Sequence, residues 1–190
     1  SWGYGAYQPQ LKSSENGKID IDHEAIDLHH LYSRNKDVES LFCDNETNTP
    51  KVFGIISENK FFKDGINDYL VKGLNTINPD KKGTKAAFLI DTELEAGETK
   101  TFDFRLSPHL MENAFFDFDE IIKIRKQEAD EFYQEIQKEI VDEDEKNVQR
   151  QAFAGLMWNK QFYHYKVSKW LQGDPKLEAP RNLNHYVRNK

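Results

Sequence analysis

The chain has 190 residues, a formal net charge of −7 and a pI near 5.4. That length fits one domain or two small ones. The acidic balance, with no Lys/Arg block, argues against a nucleic-acid partner, because phosphate binding needs clustered cations. Hydrophobic residues make up only 37% and mean hydropathy is −0.82, lean for a self-sufficient core, yet 13% aromatic residues argue against a disordered chain. No run is long enough for a membrane span, so no membrane partner is expected. Cys43 is the only cysteine, which leaves neither an intrachain disulfide nor a cysteine-based zinc site. A lean, aromatic-rich chain fits a piece whose covering surface lies elsewhere. Both ends read as cut: the chain opens at Ser1-Trp2-Gly3-Tyr4 without a disordered lead-in and stops at Val187-Arg188-Asn189-Lys190.

The first hundred residues read as β. Gly17 to Asp22 alternates, with Ile19 and Ile21 on one face, as a half-buried strand does. Ile26, Leu28 and His30 continue at period two, so Ala25 to Tyr32 predicts the next strand. His29 and His30 then point to opposite faces and share no metal. Val38 to Cys43 is a short apolar run. Asp44 to Lys51, rich in Asn, Asp, Thr and Pro, predicts a loop. Val52 to Ile56 reads as a strand or as a loop returning to the core. Asn59 to Thr84 reads as a structured excursion: Phe61, Phe62, Ile66, Tyr69 and Leu70 have helical spacing, interrupted by Gly65 and Gly73. Ala86 to Leu94 and Thr99 to Leu106 predict a β-hairpin about the turn Glu95-Ala96-Gly97-Glu98.

Near Ser107-Pro108 the period changes from two to 3.6. Asp117 and Glu120 have the spacing of a capping box, and a helix to about Lys138 is predicted, its stripe running through Phe118, Ile121, Ile122, Phe132, Tyr133 and Ile136. The acidic stretch Asp142 to Lys146 reads as a solvated linker. A second helix is expected from about Glu145 to Gln172, closed by Gly173 and Asp174-Pro175. It is apolar most of the way round, which predicts burial among further helices.

No metalloprotease motif, dinucleotide fingerprint or Ser/His/Asp arrangement is present, and most carboxylates lie on the polar helix face or in the linker. The one dense constellation is Met157 to Tyr165, where polar groups interleave with aromatics. Such residues suit a sugar site, in which rings stack on apolar sugar faces and amides or hydroxyls read the OH groups. For any one of them the commoner role is in a helix core with ordinary buried hydrogen bonds.

Gln151-Ala152-Phe153-Ala154-Gly155-Leu156-Met157-Trp158-Asn159-Lys160-Gln161-Phe162-Tyr163-His164-Tyr165, followed by Trp170-Leu171-Gln172-Gly173-Asp174-Pro175, resembles the first helix of the catalytic domain in a bacterial and fungal branch of glycoside hydrolase family 63. Asp44-Asn45-Glu46-Thr47-Asn48-Thr49 and Asn78 to Ala87 are similar to further segments of that branch, so the resemblance spans nearly the whole chain. Lys166 departs from it, standing where an Asp commonly follows the Tyr.

The resemblance implies an α+β piece: the C-terminal part of a β-sandwich domain over residues 1–108, a linker helix region over 109–144, and the first helix and loop of an (α/α)6 toroid over 145–190. It implies an inverting glucosidase-type hydrolase of α-linked oligosaccharides, whose partners are that substrate and the remainder of its own catalytic domain. Inversion needs a general acid and a general base on opposite faces of the sugar. In the family these lie in a Trp-Asp block and a downstream Glu, and neither motif appears here, so no catalytic residue is assigned. Trp158, Gln161 and Tyr165 are the candidates for substrate contact. No metal and no cofactor is expected. The competing reading is a free-standing, noncatalytic carbohydrate-binding or adaptor module.

Overall fold

The computed structural model describes residues 8–160, which fall into two compact units that divide between Ala114 and Phe115. The first holds β1 (Gln10–Lys12), β2 (Lys18–His23), β3 (Asp27–Ser33), β4 (Glu39–Cys43), α1 (Thr49–Phe53), α2 (Gly65–Lys72), β5 (Lys82–Gly83), β6 (Lys85–Leu89) and β7 (Phe104–Ser107). The second holds α3 (Phe118–Ile136) and α4 (Glu143–Trp158).

In the first unit a five-stranded antiparallel sheet runs β5-β1-β2-β3-β7. The Ile-Asp-Ile alternation of β2 and the alternation of β3 meet in the register Lys18↔Tyr32 to His23↔Asp27. Their connection closes with Ile26 N donating to His23 O at 3.1 Å and with Asp27 in the left-handed region (φ 57°), a conformation that aspartate tolerates better than most residues. Because side chains alternate along each strand, this register sorts the sheet by chemistry. Leu11, Ile19, Ile21, Leu31 and Leu106 share one face; Lys18, Asp20, His30, Tyr32 and Arg105 share the other. Ile19 and Tyr32 are both buried, so each face has its own covered centre.

A separate two-stranded pair is formed by β4 and β6. Leu41, Phe42 and Cys43 are almost completely enclosed, and Val38 and Phe62 are buried as well. Burial pushes the Cys43 thiol up from its ordinary value, so it is an inert core group.

The expected hairpin of residues 86–94 and 99–106 does not form. The turn itself is present: Glu98 N donates to Glu95 O at 3.0 Å, and Gly97 takes φ 79°. The two arms, however, join different sheets, β6 pairing with β4 and β7 with β3. A two-stranded hairpin alone is marginal in water. The buried backbone of β4 must find hydrogen-bond partners, and β6 supplies them. The arms stay linked through the stacked rings of Phe88 and Phe104, 6.0 Å apart.

Residues read as a loop and a possible strand instead include a short helix. In α1, Asn48 accepts from Lys51 N at 3.1 Å, Pro50 sits in the first turn, and Gly54 closes the helix at φ 67°. Gly65 and Gly73, read as interruptions, are the first residue and the C-cap of α2. Gly65 is small by necessity, since a Cβ there would lie 2.3 Å from Thr76 O.

In the second unit α3 starts after Asp117, whose side chain makes no capping bond, so the expected capping box is absent. The acidic stretch is more than a linker. Asp142 accepts from Asp144 N and Glu145 N at 2.9 and 3.0 Å and starts α4 at Glu143, placing acidic residues in the first turn where the helix dipole favours them. The expected run to Gln172 is corrected: α4 ends at Trp158, with Asn159 as its C-cap, and the expected closing Gly173 lies outside the described residues.

The expected fold class is corrected. In place of a β-sandwich portion leading into an (α/α)6 toroid, the described residues form a five-stranded antiparallel sheet, a two-stranded pair and four helices, of which only α3 and α4 make a long pair. A toroid requires a succession of helical hairpins to bury each helix's outward side; here Leu156, Met157 and Trp158 of α4 remain exposed.

Candidate functional site

In the helical unit, α4 returns alongside α3. Arg150 Nη1 meets Asp130 Oδ1 at 2.6 Å, its guanidinium lies 4.6 Å over the Tyr133 ring, and Gln137 Nε2 donates to Lys146 O at 2.7 Å. Tyr133 and Gln137 are the buried side chains of this seam. On one side lies a polar cavity of about 520 Å³ that contains two carboxylates, Asp130 and Glu143. Both are exposed, and Glu143 is paired with Lys146 at 2.6 Å. Exposed pairs of this kind contribute little stability.

On the other side an apolar groove of about 750 Å³ runs between Phe132 and Ile136 of α3 and Phe153, Leu156 and Met157 of α4, with Gln149, Asn159 and Lys160 as polar members. Its character follows from the sequence: the residues three and four apart on each helix that failed to find a place in the seam line a second face. Trp158 stands near its end with 82% of its surface exposed and is not among the lining residues. The other two candidates for sugar contact, Gln161 and Tyr165, lie outside the described residues. A constellation of all three is therefore not assembled within the described part of the protein.

In the sheet unit two polar clusters escape sequence reasoning. The first sits on the polar sheet face: His30 Nδ1 and Asp20 Oδ1 are 2.6 Å apart, and Lys18 lies 3.8 Å from Asp20 and 2.7 Å from Glu15. The hydrogen bond to Glu15 raises the Lys18 ammonium above its ordinary value against the opposing effect of burial. His29 occupies the opposite face, with its Nδ1 buried and lacking a hydrogen-bond partner. Among the described residues no group of three metal-ligating side chains converges.

The second cluster ties α1 to α2. Lys51 Nζ contacts Asp64 at 2.8 Å and Asp68 at 3.1 Å, Lys72 contacts Asp68 at 2.7 Å, and Asn48 Nδ2 reaches Asp64 at 3.3 Å. The hydrogen bonds from Lys72 and then Lys51 hold the Asp68 carboxyl below its ordinary value. Burial pushes Asp64 up, but the bonds from Lys51 and Asn48 outweigh it and leave Asp64 lowered as well.

The same region brings together two strings that are far apart in the chain. Thr84 N donates to Asp44 Oδ1 at 3.1 Å, Asn45 N donates to Thr84 Oγ1 at 2.8 Å, and Asn78 N donates to Phe42 O at 2.7 Å. Segments 44–49 and 78–87 thus form one locked corner beside β4. The only advance signal was that both belong to the same resemblance. Their roles here are structural: each named polar atom is engaged by backbone or by an opposite charge.

Among the described residues no helix is long and apolar enough to cross a membrane. The chain is similar to an uncharacterized protein of Saccharomyces cerevisiae (strain ATCC 204508 / S288c), YMR196W, with 34% identity over 151 residues. The match covers 73% of this chain but 14% of the yeast protein, so the chain spans about a seventh of that relative's length. No family model and no solved structure matches the chain.

Proposed function

We propose that the chain is a noncatalytic part of a longer, glycosidase-type protein that acts on α-linked oligosaccharides, and that it supplies a structural platform rather than the catalytic carboxylates. The state of the carboxylates among the described residues carries this reading. A glycosidase acid is a partly enclosed carboxyl with a raised pKa, set across a sugar-sized gap from a second carboxyl. Asp130 and Glu143 share a cavity but are exposed and ion-paired. The more enclosed Asp20 and Asp68 are taken up by His30 and by two lysines. Asp68 is moreover lowered, opposite to what a general acid needs. The family resemblance supports the glycosidase part, and the far greater length of the yeast relative supports a larger parent protein.

The test compares this chain with a longer polypeptide that contains it, each assayed for release of glucose from α-linked gluco-oligosaccharides, with the anomer followed by NMR. The expected result is no turnover by the chain and inverting hydrolysis by the longer protein. Turnover by the chain alone overturns the noncatalytic assignment; an inactive but folded longer protein overturns the glycosidase assignment.

A second reading rests on Trp158, whose 82% exposure leaves a ring face open for stacking on a sugar. In that case the chain is a carbohydrate-binding or adaptor module. Saturable fluorescence quenching of the isolated chain by a malto-oligosaccharide, lost in Trp158→Ala, supports it; no quenching at millimolar sugar removes it.

A further inference from the structure

We draw no further inference here: the strongest candidate, the apolar groove between α3 and α4 lined by Phe132, Ile136, Phe153, Leu156 and Met157, is an unpartnered face, and nothing in the structure shows what covers it.

Discussion

Replacing Gly83 with alanine separates tertiary constraint from local preference. Gly83 pairs with Leu11 across β5 and β1 while lying against β4, and a Cβ on it would sit 2.4 Å from Cys43 O and 3.0 Å from Cys43 C. Both atoms belong to the backbone of a completely buried residue in the β4–β6 ladder, so no flexible side chain can move aside. Restoring a contact of about 3.5 Å requires a displacement of roughly 1 Å, either of β4 from the core or of β5 from β1. Overpacking of this type costs about 1–3 kcal/mol, and the rigidity of both partners puts Gly83→Ala near the top of that range. The corresponding fall in Tm is roughly 10 °C. The comparison variant is Gly155→Ala: Gly155 lies inside α4, and a Cβ there meets no atom within 4 Å. Helix propensity predicts that it stabilises the helical unit by about 1 kcal/mol. Urea unfolding followed by circular dichroism, with amide exchange at residues 41–44 and 150–157 to distinguish the units, reads both changes. A Gly83→Ala protein within about 0.5 kcal/mol of the parent, the range of an unremarkable surface change, refutes the close approach of β5 to β4.

The Asp64–Asp68 cluster predicts an acid limb in stability. Both carboxyls are lowered in the folded protein, so the unfolded chain binds protons first. Their contribution is present above the unfolded value of about 3.9 and is lost as pH falls through the folded values. Thermal melts of the sheet unit should vary little from pH 7 to 5 and fall below about pH 4. Asp68→Asn should lower Tm at pH 7 and reduce this acid dependence, and an unchanged acid limb in that variant assigns it to other groups. Asp142→Ala removes the acceptor for Asp144 N and Glu145 N. It should destabilise α4 by about 1 kcal/mol, seen as faster amide exchange in its first turn.

Elements carried by local chemistry were legible in advance. The Ile-Asp-Ile alternation marks β2, because successive side chains of a strand point to opposite faces, so apolar and polar residues sort at period two. The stripe through Phe132, Tyr133 and Ile136 marks α3 because three- and four-residue steps are the period of a helix, although of the three only Tyr133 is buried. The turn at Glu95–Glu98 was visible too, since Gly97 supplies a positive φ. Helix ends were read less well. Gly65 and Gly73 break the apolar spacing, yet they delimit α2 because one admits Thr76 O and the other adopts the left-handed cap.

What the sequence by itself determined is therefore the periodicity of its segments and the chemistry they carry, including the solvated character of most carboxylates. Tertiary structure alone decided where each strand went. A turn brings two arms close, but pairing depends on which buried backbone most needs partners, and β4 claimed β6 while β3 claimed β7. The same holds for the polar groups: Asp20 with His30, Asp44 with Thr84 and Lys51 with Asp64 are separated by 10, 40 and 13 positions. Only the fold brings them within hydrogen-bond reach, because residues this far apart in the chain meet through strand pairing and element packing and not through local geometry.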